Sequence, residues 1–65
     1  MTIESLQAKS ARLLEAIKRL ELVRGRGRDH FLVSPLDQDA VLYNLVIAIE
    51  AITDIGNHIL SEVLF

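Results

Sequence analysis

Hydrophobic residues between Ala40 and Leu64 recur every three or four positions, which is the period of an α-helix. They cover one broad side of that helix, centred on a line formed by Val41, Leu45, Ala48, Ile52, Ile55 and Ile59. A narrow and mostly acidic stripe lies opposite, formed by Asp39, Tyr43, Glu50, Asp54, Asn57 and Ser61. Because a single neighbouring helix cannot cover so wide an apolar side, the pattern predicts more than one packing partner for this helix.

The same period predicts an earlier helix over residues 3–24, which Thr2 can cap. The long helix is predicted over residues 35–64, with Ser34 as its cap, Pro35 at its first position and Asp37 completing a capping box. Residues 25–33 are predicted to be an Arg/Gly loop, with Gly25 as the left-handed residue just past the first helix. These elements predict an all-α fold, an antiparallel two-helix hairpin with unequal arms.

The length of the chain favours self-association. Sixty-five residues form one domain at most, and so small a helical unit is marginally stable unless it is cross-linked or oligomeric. The chain has no Cys, so disulfides are excluded. We therefore expect two hairpins to dimerise into a four-helix bundle, or to form a tetramer. Gly56 costs a helix about 1 kcal/mol relative to Ala, and we expect it to permit close approach of another backbone. The predicted interface consists of Val41, Leu45, Ala48, Ile52, Ile55, Gly56 and Ile59.

Charge is unevenly distributed along the chain. Residues 1–28 hold all seven Lys and Arg and three Glu, a balance of +4, whereas residues 29–65 hold six acidic residues and no Lys or Arg, a balance of −6. One interpretation is that two oppositely charged helix faces complement each other within the bundle. The alternative is a basic edge for RNA or for an acidic partner, carried by Arg24, Arg26 and Arg28.

Few residues of the chain are candidates for acid–base catalysis or metal binding. Glu50, Asp54 and His58 are spaced four apart, and such a carboxylate–imidazole pair could orient an acid–base histidine or hold a metal. The chain lacks the paired motifs of zinc proteases and di-iron bundles, so we expect no metal and no cofactor. For Asp54 and His58 we expect either a local ion pair or interface hydrogen bonds. No membrane span and no signal peptide are predicted, which favours a cytoplasmic protein.

Several segments resemble the HepT-like branch of the HEPN proteins, which are all-α toxins of prokaryotic toxin–antitoxin pairs. The resemblance covers most of the chain and is sharpest between Pro35 and Ile59. It is carried by the segments Gln-Asp-Ala-Val, Ile-Glu-Ala and Asp-Ile-x-x-His-Ile, which occur in the family's order and spacing.

The resemblance implies a helical bundle that pairs as a two-fold dimer and is regulated by a nucleotidyltransferase-like antitoxin. It also implies RNase activity, resting on an Arg-polar-(x)n-His motif on a later helix. Glu50 corresponds to the family's acidic residue near that motif. The related polar cleft would contain Tyr43, Glu50, Asp54, Asn57 and His58.

No Arg follows Arg28, and His58 belongs to the second long helix, so the catalytic motif is absent from these 65 residues. We therefore expect a truncated or partial toxin that is inactive as an RNase, has no catalytic residue, and acts as a self-associating module. One alternative is a purely structural dimerisation or adaptor hairpin. A second is a weak RNA binder that uses the three arginines of residues 24–28.

Overall fold

A computed structural model describes residues 2–64, and this range forms three α-helices and no strand. Helix α1 spans Ile3–Arg26, α2 spans Arg28–Val33 and α3 spans Pro35–Leu64. The all-α prediction is confirmed. The prediction of only two helices is wrong, because most of the expected loop is helical.

Helices α1 and α3 pack side by side and antiparallel in a hairpin 48 Å long. Two ion pairs define the direction of packing. Arg26, at the end of α1, contacts Asp37 in the first turn of α3, and Lys9, near the start of α1, contacts Asp54 well along α3.

The core between the two long helices is narrow and built from small residues. Ala16 is 1% exposed and packs with Ile47 and Ala48, with Leu13 at the edge of the cluster. Small side chains let two helix backbones approach closely, but they also bury little apolar area. The buried apolar residues are Ala16, Val23, Ile47, Ala48 and Ala51.

The core corrects part of the predicted interface. Ala48 is buried against α1 and is therefore not on a free surface. Three other residues of the predicted interface, Leu45, Ile52 and Ile59, lie outside the core and are each at least 43% exposed. The remaining three are half-buried, namely Val41, Ile55 and Gly56. The face of α3 that contacts α1 instead includes two polar residues, Asp37 and Asn44.

Both predicted N-terminal caps are present. The Thr2 hydroxyl accepts a hydrogen bond from the Ser5 amide at 3.0 Å, and the Ser34 hydroxyl accepts one from the Asp37 amide at 3.2 Å. Pro35 takes the first position of α3. The capping-box role of Asp37 is wrong, however, because its carboxylate turns away to Arg26 and His30.

The predicted end of the first helix is also wrong. The helix continues through Gly25 to Arg26, and the break comes at Gly27, whose φ is 94° and ψ is 160°. This conformation is accessible almost only to glycine. Because the break takes a single residue, the chain restarts at once as α2, where the Phe31 amide donates to the Gly27 carbonyl at 3.1 Å.

Candidate functional site

The hairpin has a polar side, where a shallow cleft of about 230 Å³ runs between α1 and α3. Lys9 Nζ donates to Asp54 Oδ2 across this cleft at 2.9 Å. Basic residues of α1 thus face acidic residues of α3, as the first interpretation of the charge asymmetry expects. The cleft is lined by Ser5, Ala8, Lys9, Arg12, Glu50, Ala51 and Asp54.

The structure brings only part of the predicted polar set together. Glu50 and Asp54 line the cleft, His58 is half-buried one turn further along α3, and Tyr43 and Asn57 are exposed. The expected ion pair between Asp54 and His58 is wrong, because the Asp54 carboxylate binds Lys9 and no hydrogen bond joins it to His58 within residues 2–64. The long side chain of Lys9 reaches across the cleft and supplies the partner charge.

Asp37 is the most constrained charged group in the described part of the chain. It is 5% exposed, and its two carboxylate oxygens accept from Arg26 Nε at 2.9 Å and from a terminal nitrogen of the same guanidinium at 2.8 Å. His30 Nε2 lies 3.3 Å from Oδ2. Since these partners come from α1 and α2, one carboxylate of α3 links all three helices.

Two basic groups surround that carboxylate and change its acidity. The hydrogen bonds from Arg26 hold the pKa of Asp37 below its ordinary value, and the positive charges of Arg26 and His30 act in the same direction, against the effect of desolvation. The same pair raises the pKa of Arg26. A bidentate, charge-assisted pair of this kind is among the stronger side-chain hydrogen bonds.

This arrangement changes the hypothesis of an arginine edge for RNA. Arg26 is held by Asp37, so its charge is already matched. The exposed side chain of Arg24 lies 3.8 Å from Glu21, and Arg28 borders an apolar groove. Sequence reasoning missed the Asp37 link because it gave Asp37 a local capping role. The position of Arg26 could have revealed this link. Arg26 directly precedes Gly27, where the chain turns, and is only eleven residues before Asp37.

The opposite side of the hairpin is apolar. Val41 and Arg24 line a groove on this side, so Leu45, four residues after Val41, and Ile17, seven residues before Arg24, lie on it as well. All of the large α3 residues that we call the apolar face are between 43% and 74% exposed. They are Leu42, Leu45, Val46, Ile49, Ile52, Ile59, Leu60 and Val63.

At the junction of the three helices the apolar side deepens into a groove of about 410 Å³, which we call the junction groove. Its floor is almost entirely apolar, with two arginines at its rim. It is lined by Leu20, Val23, Arg24, Gly27, Arg28, Phe31 and Val41.

Residues 2–64 contain no group of three or more His, Asp or Glu side chains placed to hold a metal ion. No α-helix within the same range is both long and apolar enough to cross a membrane.

Comparison with known proteins gave one match. A family model described as "Ribonuclease HepT-like" matches residues 13–64, which is four-fifths of the chain and includes all of α2 and α3. A search of curated proteins found no match, and a search of solved structures found none either.

Proposed function

The chain belongs to the HepT-like ribonuclease family, a family of toxin–antitoxin RNases, and we propose that it acts as the self-associating helical module of such a toxin. The module pairs with a second copy through α3. It works in the cytoplasm and is regulated there by a nucleotidyltransferase-like antitoxin.

The observation that carries this proposal is the apolar face. Within residues 2–64, only five apolar residues are buried, whereas eight large apolar residues of α3 are exposed on one side. Each square ångström of apolar surface removed from water contributes about 25 cal/mol, so covering this face stabilises the chain more than any rearrangement of the small internal core. Domains of this size are only marginally stable on their own, which favours association.

A second copy is the occupant that the charge pattern favours. The apolar face has no Lys, Arg, Asp or Glu among its eight residues, whereas the charged residues of the cleft lie on the other side of the hairpin. Two such faces can therefore pack against each other without burying an unpaired charge.

We further propose that residues 1–65 alone do not cleave RNA. Metal-independent cleavage needs a base for the 2′-hydroxyl and a cation or donor for the charged phosphorane. His58 is the one base candidate on α3, and the charged residues nearest to it in sequence are Asp54 and Glu62, which repel phosphate. The base therefore lacks a cationic partner on its own helix.

Sedimentation analysis of matched variants tests self-association. Ile52→Asp puts a charge into the apolar face, and we expect it to yield a monomer or an unfolded chain at micromolar concentration. Asn57→Asp adds the same charge to the same helix outside that face, and we expect it to remain associated. A folded, monomeric unmodified chain at that concentration would overturn the proposal, as would equal behaviour of the two variants.

Incubation with a mixed RNA substrate, with and without magnesium, tests the second part. We expect no cleavage by the purified chain. Cleavage that disappears in His58→Ala would contradict this expectation and make His58 an active-site residue of the hairpin itself.

A further inference from the structure

We propose that Gly27 is the residue that keeps this hairpin closed on itself. Any L-residue in its place would join α1 and α2 into one helix, and α1 would then pack on the α3 of a second copy. This exchange concerns the contact between α1 and α3. It does not involve the apolar face, which lies on the other side of the hairpin and stays available in both forms.

Two non-helical residues reverse the direction of the chain. Within residues 2–64 the three helices are separated only by Gly27 and Ser34. Two antiparallel helices ordinarily need a connection of about two to five residues, so one remaining break could not bring α1 back along α3. If either residue became helical, α1 would therefore point away from its own α3.

Of these two breaks, the one at Ser34 is fixed. Ser34 precedes Pro35, whose ring disfavours the helical conformation of the residue before it, and its φ of −113° and ψ of 99° are extended. The corner between α2 and α3 is also fastened by side chains. Gln38 donates at 3.0 Å to a carbonyl of the last turn of α2, and His30 Nε2 lies 3.3 Å from the Asp37 carboxylate. The break that can change is therefore Gly27.

The local backbone favours joining the two helices at this position. The amides of residues 28–30 begin α2 and have no carbonyl partner within it, whereas a joined helix would supply the carbonyls of residues 24–26. Only the conformation of Gly27 prevents this, because its φ of 94° and ψ of 160° are accessible almost only to glycine. A Cβ at this position would meet no atom within 4 Å in the described part of the chain, so an L-residue is opposed by the backbone alone.

The contacts that α1 would give up are few, and a second copy offers all of them again. The core between the helices is narrow, with Ala16 packed against Ile47 and Ala48, and the ion pair of Lys9 with Asp54 is partly exposed. The α3 of another chain presents the same surface, so an exchange of arms remakes each contact between chains instead of within one.

The contact with Asp37 does not have to be exchanged. Arg26 and His30 both approach this carboxylate and are four residues apart. In a joined helix, residues at this spacing lie on one face, which keeps both side chains within reach of Asp37 of their own chain. The choice between the closed and the exchanged form therefore depends mainly on the backbone at residue 27.

Cross-linking of mixed single-cysteine chains tests the exchange, because the chain has no native cysteine. Arg12→Cys in one chain and Glu50→Cys in the other place one thiol on each wall of the polar cleft. The two chains are unfolded, refolded together and treated with a short bis-maleimide. A link between different chains then requires α1 of one to lie on α3 of the other. Pairing through the apolar face leaves both thiols on the outer side and does not give this product.

The position of the glycine determines the expected result. With Gly27 in both chains we expect little mixed product. With Gly27→Ala in both chains the product should rise at least about tenfold, because the strain at residue 27 and the higher helix propensity of alanine act in the same direction. Gly25→Ala is the matched control. Gly25 already lies inside α1 with open space around it, so alanine there should leave the mixed product unchanged.

Circular dichroism of each refolded chain shows whether it is helical. We expect Gly27→Ala to keep the helical signal of the unmodified chain. An unfolded Gly27→Ala chain would overturn the inference, and so would a folded one without mixed product, since the hairpin would then close without glycine. Abundant mixed product from chains that retain Gly27, or equal product from Gly25→Ala, would also overturn it.

An insertion provides a rescue. Gly-Gly-Ser inserted after position 27 of Gly27→Ala supplies a flexible turn, so the hairpin should close again and the mixed product should return to its background level. Product that persists would show that the break at residue 27 does not control the exchange. None of these outcomes depends on pairing through α3, which sedimentation of Ile52→Asp tests separately.

Discussion

The two ion pairs that join α1 to α3 stand at opposite parts of the hairpin and differ in their surroundings. At the junction, the Asp37 side chain is 7% exposed and binds both Arg26 and His30. In the polar cleft, Lys9 and Asp54 are 32% and 48% exposed and share a single contact of 2.9 Å. The two pairs have similar distances, but only the first is bidentate, and only there is one partner, the Asp37 carboxylate, shielded from water, while the Arg26 side chain is 45% exposed.

The difference shows that the distance between the charged atoms alone does not determine how much an ion pair stabilises the fold. Solvent screening and the entropy of two mobile side chains leave an exposed pair with little net contribution, whereas removing one partner of a buried pair leaves an uncompensated charge. We therefore expect substitution of a single charged residue to lower the stability of the fold strongly at the junction of the three helices and only slightly in the polar cleft. Three predictions test this contrast.

Asp37→Ala should cause the largest loss of stability among the charged residues. It leaves Arg26 without its bidentate partner and removes the side chain that links the three helices. We expect the midpoint of thermal unfolding to fall by at least about 5 °C. Asp39→Ala removes the same charge from an exposed position two residues further along α3 and should change the midpoint little. Equal effects in the two variants would show that the Asp37 contacts are not special.

Acid should weaken the junction selectively. Because the pKa of Asp37 is lowered in the folded state, its contribution is complete above the unfolded value of about 3.9 and is lost as pH falls through the lower folded-state value. Asp37→Asn should therefore be much less stable than the unmodified chain at pH 7, and the difference should narrow steadily as the pH falls below about 3.9. Thermal melts over a series of pH values check this, with Asp39→Asn as the control. A difference that does not narrow in acid would contradict it.

Lys9→Met should have the smallest effect. It keeps most of the aliphatic side chain and removes only the exposed contact to Asp54, so we expect a loss of about 0.5 kcal/mol or less in the free energy of unfolding. The measurement is urea denaturation with a constant m-value. If Lys9→Met lowered the free energy of unfolding as much as Asp37→Ala does, the cleft and the junction would not differ in their contribution to stability.

The helices and their caps could be predicted from the sequence, because they depend on local signals. Thr2, Ser34 and Pro35 act within a few residues of their own position, and apolar spacing determines which stretches are helical. The end of α1 could be predicted less accurately, because Gly25 and Gly27 are both glycines that could end the helix. Only the geometry of the chain decides which of the two takes a positive φ.

Contacts between helices were harder to predict. The broad apolar side of α3 was evident, but which part of it meets α1 depends on how closely the backbones approach, and Ala16 with Ala48 allows a close approach that leaves Ile52 outside. Lys9 and Asp54 are 45 positions apart and Arg26 and Asp37 are 11 apart. Such pairs follow from the packing register, which no local pattern specifies.

The backbone at Gly27 has a further consequence, which concerns chirality. A φ of 94° with a ψ of 160° is strained for any L-residue, but it is the mirror image of ordinary extended backbone and therefore suits a D-residue. D-alanine at this position would keep the break between α1 and α2 while restricting the unfolded chain, whereas L-alanine would strain the folded one. A chain of 65 residues is within reach of chemical synthesis. Because D-alanine and L-alanine have the same side chain, comparing them at position 27 isolates the effect of the handedness of the α-carbon.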